Sequence, residues 1–106
     1  MPLNTQSVTV LIASRIVPDK IDIARREFTS IIANVVANEA ACHGIRLQQD
    51  VDDPRRLLLI EEWESKEVFT GPHMQTPHMQ GFLERAQKFL AGPPEFRFGR
   101  EIATAP

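Results

Sequence analysis

The sequence predicts an α+β domain in which a four-stranded antiparallel sheet carries two helices on one face. Three observations lead there. Apolar patterning switches between periods in the order strand, helix, strand, strand, helix, strand, which is the ferredoxin-like split βαβ (βαββαβ) arrangement. The turn sequence Asp52-Asp53-Pro54 joins the second and third strands as a hairpin. The first and third strands are apolar on both faces, so each is buried from two sides. At 106 residues, the chain (1–106) reads as a single domain.

Met1 to Gln6 is polar and reads as a loose end. Ser7 to Val17 is rich in β-branched residues and is stopped by Pro18, which makes it the first strand. Asp19 then caps a helix running to about Ala41, with Ile21, Ala24, Phe28, Ile31, Ile32, Val35 and Val36 at helical spacing. Gly44 aids the exit turn. Ile45 to Val51 alternates as a weaker strand, and Arg56 to Trp63 forms the third. Ser65 caps a short helical turn over Lys66–Thr70, ended by Gly71-Pro72. Thr76 followed by Pro77 is a helix start, a capping hydroxyl with proline at the first helical position. Met79, Phe82, Leu83, Ala86, Phe89 and Leu90 form the apolar face of that helix, and Gly92-Pro93-Pro94 stops it. Phe96 to Ile102 is the fourth strand, with Phe96 and Phe98 on one side.

Two helices cover only one face of such a sheet, and the apolar residues of the other face then need a partner. A homodimer whose two sheets face each other is the expected solution. The net charge of −2 gives no reason to expect nucleic acid or an anionic membrane as partner. No stretch approaches the roughly 20 apolar residues of a membrane span. One cysteine cannot form an internal disulfide, which fits a reducing cytoplasm.

Chemistry-bearing residues concentrate between Leu57 and Phe82, which hold the single tryptophan and two of the three histidines. Alternation places Glu61 and Trp63 on one face of the third strand with Leu57 and Leu59. The expectation is a cavity shared by Glu61, Trp63 and one of His73 or His78. His73 sits in a loop after Pro72, and His78 lies one turn before Phe82 on the edge of an apolar helix face. Against this stand blander readings: a solvated His73, a His78 that only starts its helix, a core or interface Trp63, and a Glu61 paired with Arg46 or Arg97. Met74, Met79 and Phe82 are candidates for the pocket wall, although helix-spaced methionines are more often simple core. His43 reads as surface and Cys42 as a small buried residue. No metal site is expected, because His73 and His78 are five apart across a proline and no third ligand is evident.

Glu39-Ala-Ala-Cys42, then Asp52-Asp-Pro-Arg-Arg56 leading to Glu61-Glu-Trp63, then His73 and Thr76-Pro-His78 resemble the antibiotic biosynthesis monooxygenase superfamily. Its small members show E-P-G-C, D-D-P-x-R, E-x-W, a histidine and T-P-H in that order. The resemblance implies a dimeric α/β barrel. It also implies one of several activities: oxygenation of quinols or phenols by O2 without a cofactor, haem degradation, or isomerisation of a small phosphorylated signal. This chain departs from the pattern at Ala40-Ala41, at Ile45 where an aromatic is common, and by one extra residue before His73. Haem degraders use an asparagine on the first strand, and Ser7 to Val17 contains none.

The reading this supports is a cofactor-independent monooxygenase of a small quinol or polycyclic phenol, with His73 or His78 as base and Glu61 as a further acid–base group. Trp63, Met74, Met79 and Phe82 would hold the ring, and the partners would be the aromatic substrate and O2. An isomerase and a non-catalytic ligand-binding dimer are the alternatives.

Overall fold

In the computed structural model, which describes residues 7–106, the β-branched segment Val8–Arg15 forms β1. The N-terminal tail read as a loose end lies outside the described residues. Val8, Val10, Ile12 and Ser14 of β1 are buried on one face. Helix α1 (Ile21–Asn38) leads to β2 (Cys42–Gln49) and, through the Asp50–Pro54 turn, to β3 (Arg56–Trp63). A short helix α2 (Lys66–Thr70), a 3-10 turn (Pro72–Gln75), helix α3 (Pro77–Ala86) and β4 (Glu95–Gly99) complete the chain.

The strands lie in the order β2-β3-β1-β4, all antiparallel, so β3 is inserted between the two strands that α1 connects. This is the ferredoxin-like α+β fold expected from the pattern. Helices α1 and α3 cover one face. Phe28 of α1, Phe82 of α3 and Phe89 meet there with ring centroids 5.3 to 6.3 Å apart, a spacing at which aromatic pairs add to burial. On the uncovered face, Leu11 stands opposite Ile60 and Ala13 opposite Leu58. Arg46 and Arg97 flank this apolar strip, paired with Ile60 and Leu11 respectively. Leu11 is 37% exposed.

Several boundaries differ from the sequence reading. Asp19 does not cap α1: it lies inside a 3-10 turn, Pro18–Lys20, and the helix N-terminus has no side-chain cap. Proline's fixed φ suits that tight turn, which displaces the helix start to Ile21. Helix α1 ends at Asn38, not Ala41, because Glu39 adopts an extended conformation, φ −122° and ψ 99°. Strand β2 starts three residues early, at Cys42. Gly44 therefore belongs to the strand and not to an exit turn, at φ 157° beside a register shift between Cys42 and Gly44, the position of a bulge. Helix α3 gives way to a turn after Ala86, and Leu90 makes an isolated bridge to Ile16. Strand β4 stops at Gly99, leaving Ile102 fully exposed. Both caps read for the later helices are present: Ser65 Oγ accepts from Val68 N–H at 3.1 Å, and Thr76 Oγ1 from Met79 N–H at 3.3 Å.

Candidate functional site

Strand parity aims Leu57, Leu59, Glu61 and Trp63 of β3 at the helices. Glu61 is 5% exposed, and its partner is neither Arg46 nor Arg97. Those arginines sit opposite Ile60 and Leu11, residues of the outer face, so the same parity that buries Glu61 sends them to the other side of the sheet. Trp63 supplies the partner instead: its Nε1–H donates to Glu61 Oε1 at 2.8 Å. Burial outweighs this hydrogen bond and, with the nearby Glu39 charge, pushes the Glu61 carboxyl up to about 7.

The 3-10 turn after α2 brings His73 inward, where it is buried against two aromatic rings. Its centroid lies 4.3 Å from that of Trp63 and 5.2 Å from that of Phe69, stacked on the latter. It is therefore not a solvated loop histidine. Nδ1 of His73 lies 2.9 Å from both oxygens of Glu39. A carboxylate there fixes the neutral ring with its proton on Nδ1, leaving the Nε2 lone pair free. Nε2 has no hydrogen-bond partner among the described residues, and no fully buried polar side-chain atom is left unpartnered. Nε2 therefore opens onto free space. Burial holds the imidazole below its ordinary pKa, opposed by the Glu39 contact and reinforced by His78.

His78, on the first turn of α3, places Nε2 2.6 Å from Oε2 of the same Glu39. Glu39 thus bridges both candidate histidines. The sequence reading did not select it; its signal was its position as first residue of the Glu39-Ala-Ala-Cys42 segment.

Between the sheet and helices lies an apolar cavity of about 70 Å³, lined by His73 and Glu61 together with Met74, Met79, Phe82 and Phe96 among others. Trp63 is fully buried behind this wall and does not line it, and His78 also lies outside the lining. Leu83, 41% exposed, also borders the cavity. The volume admits a few water molecules and is well below the roughly 300–1,000 Å³ of drug-sized pockets. Cys42 is buried close by, and its thiol is pushed up, mainly by burial. No group of three potential metal ligands occurs among the described residues.

A buried carboxyl and a buried imidazole thus line one apolar cavity on the helix-covered face of a ferredoxin-like sheet. The family profile of the antibiotic biosynthesis monooxygenases matches residues 7–85, and the chain belongs to that family. Solved structures share the fold. A Bordetella bronchiseptica protein aligns with TM-score 0.84 at 15% identity, covering 93% of this chain and 100% of its own. A Pseudomonas aeruginosa protein gives 0.83 at 20% identity, covering 96% and 100%. A structure named as an antibiotic biosynthesis monooxygenase gives 0.80 at 20% identity, covering 91% and 99%. No curated protein matches the chain in sequence.

Proposed function

We propose that this protein is a cofactor-independent monooxygenase that oxidises a small quinol or phenol with O2. The observation that carries the reading is His73 at the cavity wall, its Nδ1 held by Glu39 and its Nε2 unpartnered. A phenol with a pKa of about 10 must lose its proton before the ring can pass an electron to O2. His73 Nε2 takes that proton as general base. Glu61, held by Trp63 with a carboxyl near neutrality, hydrogen-bonds the opposite oxygen of the ring and supplies a proton to the oxygen that leaves as water. Apolar walls exclude solvent from the reactive intermediates. The cavity volume favours one ring over a polycyclic substrate, and a larger ring requires Met74, Met79 and Leu83 to move aside. The lining contains no arginine or lysine, so a phosphorylated isomerase substrate finds no counter-charge there.

The working unit in this reading is a homodimer joined through the Leu11, Ala13, Leu58 and Ile60 strip, in a reducing cytoplasm that suits the unpaired Cys42 thiol. Oxygen uptake with methylhydroquinone and with menadiol tests the activity. Uptake above the spontaneous rate that disappears in His73→Ala is the expected result. Uptake that survives this substitution removes His73 as base. If neither quinol is consumed but both raise Tm, the protein is a ligand-binding dimer.

A further inference from the structure

The cavity is lined almost wholly by apolar side chains, so a proton taken there by His73 has few polar groups to leave by. Polar contacts trace one route out. From Nδ1 of His73 the path crosses the Glu39 carboxylate, over 2.9 Å and then 2.6 Å, to Nε2 of His78. Side-chain exposure rises along it, from 3% at His73 through 12% at Glu39 to 15% at His78. The other ionisable group in the lining, Glu61, leads only to Trp63, which is fully buried.

We propose that His73, Glu39 and His78 form a proton relay between the cavity and solvent, with Glu39 as positioning residue and carrier and His78 as the exit. A proton arriving at Nε2 of His73 is matched by release of the Nδ1 proton to Glu39. With His78 in the tautomer that carries its proton on Nδ1, the protonated carboxyl passes its proton from Oε2 to Nε2 of His78. The Nδ1–H of His78 is then given up to water or buffer, and exchange with solvent restores that tautomer. Each transfer breaks one bond to hydrogen and forms another, with no change of oxidation state. The reverse sequence returns a proton to His73 when its Nε2–H has been given to product. The charged and titratable groups around the relay are Glu61 from β3, Cys42 from β2, and the relay members themselves. Cys42 is held as a thiol by its burial, and its Sγ is directed to the Gly44 carbonyl at 3.9 Å, so it does not interrupt the path.

A purely structural Glu39, pinning the end of α1 to the turn before α3, makes the opposite prediction for one observable. Exchange of the His73 Nδ1 proton with solvent, read by NMR of protein labelled with 15N-histidine, needs no substrate. Glu39→Gln keeps an oxygen acceptor of the same shape but cannot carry a proton. The relay requires slower exchange in Glu39→Gln and in His78→Ala, with imidazole in the buffer restoring the rate in His78→Ala. Unchanged or faster exchange in both variants overturns the relay, because loosened packing only opens the site. The kinetic arm rests on the oxygenase reading. There kcat falls about tenfold or more in both variants at unchanged KM, and imidazole rescues His78→Ala. An unchanged kcat in both overturns the relay's part in turnover. Slowed exchange in the two variants, with a wild-type protein that consumes no quinol, keeps the relay and removes the oxygenase.

Discussion

Trp63 donates its indole N–H to Glu61, two residues earlier on the same strand and the same face, at 2.8 Å. Neither side chain has another hydrogen-bond partner among the described residues. A strand's two-residue period therefore supplies both the buried carboxyl and the donor that makes its burial tolerable.

Trp63→Phe tests that pairing. The ring stays against Phe69 and His73 but the donor is lost, leaving a buried carboxyl without a partner. Urea unfolding should register a loss of about 1–3 kcal/mol. NMR titration should place the Glu61 carboxyl above its wild-type midpoint, because the hydrogen bond that lowers it has gone.

The pH dependence of stability carries two opposed contributions. The Glu61 carboxyl is raised from 4.5 to about 7 on folding, so its contribution is complete below 4.5 and is lost as pH rises toward 7. The His73 imidazole is lowered from 6.5, so its contribution is complete above 6.5 and is lost as pH falls. Between 4.5 and 6.5 the two slopes oppose each other. Glu61→Gln removes the first, and denaturant midpoints should then fall more steeply with acid than in wild type. At pH 8 the variant should be the more stable protein, by up to about 3 kcal/mol from the shift alone.

Thr76 has two duties: its Oγ1 accepts from Met79 N–H and donates to the His73 carbonyl at 2.9 Å. Thr76→Ala should cost about 1 kcal/mol in thermal or chemical unfolding, the usual loss for a helix cap. It should also raise hydrogen exchange in the turn that carries His73.

Ile60→Arg places a charge in the middle of the apolar strip, opposite Leu11 and Arg46. Sedimentation should show wild type as a dimer at micromolar concentration and the variant as a monomer. Wild type sedimenting as a monomer would count against association through this face.

Alternation along β3 and the Thr76-Pro77 start signal made the central strand and the last helix legible, because both depend on local periods and caps. Helix α1 was harder to bound. Nothing in residues 38–42 marks Glu39 as the place where the helix turns extended. That local event decides the site, since it releases Glu39 to meet residues 34 and 39 positions later in the chain. Such a meeting is tertiary and leaves no periodic trace. The partner of Glu61 is illegible for a different reason: charge complementarity favours an arginine, whereas the face each arginine occupies depends on pairing across strands. The strand register settles that question.

The alternation that puts Glu61 inward and Ile60 outward also guards against misfolding. If β3 paired with β1 one residue out of step, every side chain would change faces. Ile60 would enter the cavity, while Glu61 and Trp63 would surface together on the outer face. Such a mispaired chain would lose the carboxyl from its cavity. Register between two strands is thus what keeps the carboxyl and the imidazole on one side of the sheet.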